Sequence, residues 1–201
     1  PRDTGSLSVE ANYSQFQIPS FPEETPVDLE DLIQQLPEWE KPLLEGLVLH
    51  VTQQQLLEIM ATERVLMCSD GSQKEHRASF GWVLSDRDGN RLAKCAGPCL
   101  GFSPTSYRAE GYGLLSVCRF LYHLSTSLDV NLCKHSIYCD NKSMVNRSSN
   151  RPKDLNRIYP NEKLASEWDL LIEIWHSLVV HDREISPGIS HIKSHQDEKK
   201  K

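Results

Sequence analysis

The chain has 201 residues, 38% of them hydrophobic, with a formal net charge of −6. That is enough for one domain of ordinary size plus an extension. No apolar run approaches about 18 residues, and the opening PRDTGSLSVEANYSQ has neither a basic start nor an apolar stretch, so no transmembrane helix and no secretory signal are expected.

Charge is unevenly spread. Residues 1–63 hold 12 acidic residues and only Arg2 and Lys41. Residues 64–201 hold 20 basic and 16 acidic residues, a mildly basic domain behind an acidic leader. A phosphate-bearing partner fits that second part better than the total charge suggests. The first residue is not Met, so a fragment, a processed product or part of a longer polyprotein is expected. The six cysteines form no CxxC pair, and Cys95 and Cys99 have no matching second pair to complete a zinc site. Reduced, mostly buried thiols in an intracellular protein of the cytoplasm or nucleus are expected.

In chain order, residues 1–27 contain four prolines and few large apolar side chains, and read as a flexible linker. Residues 28–63 turn helical: Leu29, Leu32, Ile33 and Leu36 share one face, and Pro37 ends that stretch. Two or three short helices should form a connecting segment that packs on the next domain, being too short to fold alone. From residue 64 to 201 the pattern is that of a single domain. Arg64–Ser69 is a short strand ending at Asp70-Gly71-Ser72, a turn signature. Ala78–Ser85 and Arg91–Cys99 are two further strands around a hairpin at Asp86–Asn90.

A long helix is expected over Ser106–Leu124, a fourth strand over Ser136–Cys139 and a short helix over Lys142–Arg147. A polar loop spans 148–161, a strong helix Leu164–Val180, and a fifth strand Gly188–Ile192. The order βββαβαβ gives an α/β fold with a mixed five-stranded sheet, three antiparallel strands then parallel ones, flanked by helices.

Three acids stand out by position. Asp70 and Asp140 each end a strand, and Glu110 lies one turn into the long helix. If the first and fourth strands are neighbours, the two aspartates lie side by side and the helix brings Glu110 over them. Singly, each has an ordinary reading: a turn former, or an acid favoured by a helix dipole. Jointly, converging carboxylates need cations, and hard oxygen ligands suit Mg²⁺ or Mn²⁺. Two such ions about 4 Å apart can drive in-line phosphoryl displacement, so phosphodiester chemistry is indicated.

Four segments carry a family resemblance. CSDGSQKEHRASFGWVLSDRDGN resembles the opening of type 1 ribonuclease H, SYRAEGYGLLSV its long helix, IYCDNKSMV its fourth strand and acidic turn, and HIKSHQD its last strand and the mobile histidine after it. The resemblance covers residues 64–197. It implies a ribonuclease H-like fold and an endonuclease cutting the RNA strand of an RNA–DNA hybrid. Asp70, Glu110 and Asp140 would be metal-binding acids for two ions, with His195 assisting proton transfer or product release. Gly71, Ser72 and Asn141 would contact sugar or phosphate.

The family usually adds a fourth carboxylate on a helix after the histidine. Here Asp197 lies in the turn and the chain ends at Lys201, so a missing C-terminal helix and impaired activity are expected. Arg147, Arg151, Lys153 and Arg157 stand where relatives carry a basic handle. The HQD ending and acidic leader also resemble ribonuclease H portions of retroelement polyproteins, implying a neighbouring reverse transcriptase domain. Two other readings stay open. One is an inactive scaffold or nucleic-acid-binding domain. The other is a transposase or integrase-type nuclease, disfavoured because Glu110 falls between the aspartates, with Glu167 and Glu173 on the late helix keeping it open.

Overall fold

The computed structural model describes residues 28–101, 105–150, 155, 166–179 and 187–193. Its first elements are set by local capping. Asp28 accepts the Glu30 N–H at 2.8 Å and opens helix α1 (Leu29–Gln35). A proline in the first turn opens the short α2 (Lys41–Leu44). Thr52 and Gln55 form a reciprocal capping box at the start of α3 (Gln53–Thr62).

The strands follow as β2 (Leu66–Lys74), β3 (Arg77–Ser85) and β4 (Arg91–Pro98), after a two-residue β1 (Val48–Leu49). Helix α4 (Ser106–Thr126) leads to β5 (Ser136–Cys139), α5 (Lys142–Ser149), α6 (Trp168–Val179) and β6 (Gly188–His191). The sheet order is β1-β4-β3-β2-β5-β6. The first four strands in this order pair antiparallel, and β5 and β6 join in parallel.

Two expectations are corrected. The sheet has six strands, not five, because Val48 and Leu49 pair with Lys94 and Ala93 at the edge of β4. Two residues carry no readable period, so only tertiary pairing makes them a strand. In addition, Asp70-Gly71-Ser72 is no turn. These residues lie inside β2, opposite Gly81, Phe80 and Ser79. The chain reverses later, at Glu75, whose φ of 57° lies in the left-handed region. Asp, Gly and Ser favour turns locally, but ladder pairing on β3 overrides that preference.

Helix α4 lies against β2 and β3 and is the hub of the core, with Leu114, Val117, Phe120, Leu121 and Leu124 all buried. Trp82 on β3 packs at a tilt against Phe120, ring centroids 5.1 Å apart, and donates its indole N–H to Ser116 Oγ at 2.7 Å. Ser116 in turn donates to the Leu43 carbonyl at 2.5 Å, tying α2 onto α4. Glu40 reinforces this tie. Only 2% exposed, it accepts from Arg119 Nε at 2.5 Å and meets His123 Nε2 at 2.6 Å. Burial works against its charged form, but the His123 and Arg119 hydrogen bonds and charges hold its carboxyl below the ordinary range. Helix α6 packs on α4 from the other side, with Ile174 and Leu171 buried.

Candidate metal centre

Asp70, Glu110 and Asp140 arrive at one end of the sheet by two separate routes. The parallel pairing of β2 and β5 ends at Ser69 and Cys139. Asp70, the next residue of β2, and Asp140, the first residue beyond β5, therefore sit side by side where the ladder stops. Glu110 comes from α4, whose start is capped by Thr105 accepting the Arg108 N–H at 3.0 Å. What lets the helix reach the strand is Gly71. A Cβ there would lie 2.3 Å from the Ala109 carbonyl carbon and the Glu110 nitrogen, so only glycine permits this approach.

The resulting site is crowded with negative charge. A ligand atom each from Glu110, Asp140 and Cys139 all lie within 4.8 Å of one another. Glu110 is 5% exposed. Burial first, then the charge and hydrogen bonding of Asp140, then the charge of Asp70, push its carboxyl up to about 8, against the opposing Gly71 amide. Asp70 lies outside the 4.8 Å group; it is exposed, and its Oδ1 accepts the Gly71 N–H at 2.8 Å. Among the described residues, no Lys, Arg or His forms an ion pair with any of the three acids. Acids held together without a cationic side chain are suited to a hard divalent cation.

The other expected residues fall variously. Asn141 caps α5, its side-chain oxygen accepting the Met144 N–H at 3.0 Å. Ser72 is exposed on β2, its hydroxyl 3.1 Å from that of Ser79. His195, Asp197, Arg151, Lys153, Arg157 and the 1–27 linker lie outside the described residues. Arg147 donates to Tyr107 Oη at 2.9 Å. Glu167, just before α6, pairs with Arg108, and Glu173 on α6 lies 3.9 Å from His176, so each has a basic partner of its own.

Two residues were not singled out by sequence reading. His191 lies opposite Cys139 in the β5–β6 register and places Nε2 3.0 Å from the Asp140 carbonyl oxygen. Cys139 looked like one more buried thiol. It is buried, but its Sγ donates to Glu110 Oε2 at 3.6 Å. Desolvation, with the nearby acids, pushes the thiol up to about 12, so it is a donor in this structure. Its position next to Asp140 in the sequence was the only available signal.

No family model and no curated protein matches the chain. Solved structures do. The chain is similar to the foamy viral protease-reverse transcriptase in complex with an RNA/DNA hybrid, with a TM-score of 0.52 and 13% identity over 69% of this chain and 18% of that one. It is also similar to the ribonuclease H domain of prototype foamy virus, at 0.48 and 17% identity, covering 66% of this chain and 81% of that one. LC11 ribonuclease H1 with an RNA/DNA hybrid matches at 0.46 and 19% identity, over 65% and 86% of the two chains. What this defines is a fold: a ribonuclease H-like fold, a mixed sheet with helices against it. Among the described residues no helix is long and apolar enough to cross a membrane.

Proposed function

We propose that the chain is a metal-dependent endonuclease that hydrolyses the RNA strand of RNA–DNA hybrids. The observation that carries this reading is the gathering of Glu110 and Asp140 at the strand ends beside Asp70, with no cationic side chain among the described residues paired to them. The fold supports it, and so does the mild basic excess of residues 64–201.

In this reading Asp70, Glu110 and Asp140 hold Mg²⁺ or Mn²⁺, two ions in the working site. Such ions supply charge stabilisation and an activated water for phosphodiester hydrolysis. Glu110 gives up its proton when a cation is held, and burial keeps bulk water from its carboxylate. The Gly71 amide orients Asp70. His191 steadies the Asp140 backbone, and His195 takes the role of moving a proton on the leaving side. Ser72, Gly71 and Asn141 would contact sugar or phosphate of an A-like duplex recognised by shape and 2′-hydroxyls. Residues 28–63, which pack on residues 64–201 and add β1 to their sheet, act as a connecting segment next to a reverse transcriptase in a retroelement polyprotein. Six unpaired thiols support a reducing intracellular compartment, cytoplasm or nucleus.

The test is cleavage of a strand-labelled RNA–DNA hybrid in Mg²⁺ or Mn²⁺. D70N, E110Q and D140N should each lose about a hundredfold or more in rate. Cleavage unchanged in all three would refute the reading. The exposed Asp70, outside the tight group, favours one alternative: a scaffold that retains a metal site without catalysis. Mn²⁺ binding abolished by D140N, with no cleavage by the wild type, would establish that alternative.

A further inference from the structure

Cys139 plays no part in hydrolysis as just described, yet its sulfur belongs to the same cluster. Sγ, a Glu110 oxygen and an Asp140 oxygen lie within 4.8 Å of one another, all three on residues that are buried or half-buried. A second feature points the same way. Ser69 pairs with Cys139 across the parallel β2–β5 ladder, so the two side chains stand together on the face toward α4. Its Cβ lies 3.4 Å from where a Cβ on Gly113 would stand, one turn along α4 from Glu110. Ser69 is 5% exposed, and its hydroxyl has no hydrogen-bond partner among the described residues. A buried hydroxyl without a partner is costly. Placed here, it is the donor that a thiolate formed at Cys139 would need.

Hard cations gain little from sulfur, but thiophilic ones prefer it. Zinc takes sulfur at about 2.3 Å and carboxylate oxygen at about 2.0–2.2 Å, so its ligand atoms stand roughly 3.5 Å apart. Contraction by about 1 Å from the present spacing, within the reach of side-chain rotation, would close the set.

We propose that Glu110, Cys139 and Asp140 form a site for a thiophilic divalent cation, Zn²⁺ or Cd²⁺, whose occupation excludes Mg²⁺ and Mn²⁺ from the same carboxylates. The proposal rests on the reading that Glu110 and Asp140 hold metal, and adds sulfur to the ligand set. On binding, the Cys139 S–H bond breaks, its proton passes to solvent and a sulfur–metal bond forms. No electrons are transferred. The consequence is inhibition set by the ratio of soft to hard cation.

The experiment titrates Cd²⁺ into the full chain and follows the ultraviolet charge-transfer band of a thiolate–Cd²⁺ bond, with Mn²⁺ binding measured by calorimetry in parallel. The wild type and C68S, which removes the exposed thiol, should show the band at one equivalent; C139S should lose it. C139S should still bind Mn²⁺, and Cd²⁺ should displace Mn²⁺ from it at least tenfold less effectively. Circular dichroism of C139S and of C139A checks that the fold is kept. An unchanged band in C139S, or no band in a wild type that binds Mn²⁺, overturns the proposal. Loss of both Cd²⁺ and Mn²⁺ binding in the wild type overturns the underlying metal reading as well.

Discussion

Replacing Gly71 with alanine puts a methyl carbon 2.3 Å from the Ala109 carbonyl carbon and the Glu110 nitrogen, and 2.7 Å from the Ala109 oxygen. Ordinary contact begins at 3.4 Å, so roughly 1 Å of new separation is required. Neither side has a rotamer to yield: one is strand backbone paired with β3, the other the backbone of a 21-residue helix. Overpacking of this kind costs about 3 kcal/mol, the upper end of the usual range. A displaced α4 also carries Glu110 away from Asp140, and Mn²⁺ affinity should fall about tenfold.

G89A is the matched control. Its φ of +87° is strained for alanine, but nothing lies within 4 Å, so the cost is only about 1 kcal/mol and metal binding is untouched. Urea unfolding at constant m-value and Mn²⁺ calorimetry read both effects. A G71A protein as stable as G89A, or one with wild-type Mn²⁺ affinity, would refute the account of how the site is assembled.

The remaining expectations concern charge and the core. The Glu110 carboxyl, ordinarily near 4.5, stands at about 8 in the folded metal-free protein, so between those values the folded state holds a proton that the unfolded chain releases. Stability therefore falls as pH rises through that window, and E110Q should raise the thermal midpoint at pH 8 but not at pH 4. Mn²⁺ displaces the same proton, so its affinity should climb about tenfold per pH unit below pH 8 and level off above it; a flat profile would contradict the raised carboxyl. E40Q strands Arg119 and His123 in the core and should cost about 3 kcal/mol near neutral pH. Because the Glu40 carboxyl is held below its ordinary 4.5, its contribution is present above that value and lost as pH falls through the folded-state pKa, so the gap between wild type and E40Q should narrow in acid melts. W82F removes the indole donor to Ser116 and should lower stability by about 1–2 kcal/mol, measured as a shift of the urea midpoint at unchanged m.

The helices were the most readable part of the fold. The apolar stripe of Ala109, Leu114, Leu115, Cys118 and Leu121 announced α4, because a helix burying one face must repeat its apolar residues at helical spacing. Strand β5 was readable too, since SIYC is short, apolar and bounded by polar residues. The choice of the three acids as candidates rested on where they stand relative to those elements. Cross-chain proximity was less legible. Asp70-Gly71-Ser72 carries turn formers, and only pairing with β3 shows that Gly71 serves the approach of α4 instead.

What the sequence by itself determined is thus the order of the elements from β2 onward, the carboxylates as candidate ligands and the asymmetry of charge, all properties of residue type and local period. Tertiary structure alone decided that Val48–Leu49 joins the sheet, that Glu40 is buried against Arg119 and His123, that His191 meets Asp140, and that Cys139 stands with Glu110 while Asp70 lies outside their group. Each of these is a contact between residues far apart in the chain, set by strand register and helix approach. No local pattern encodes either.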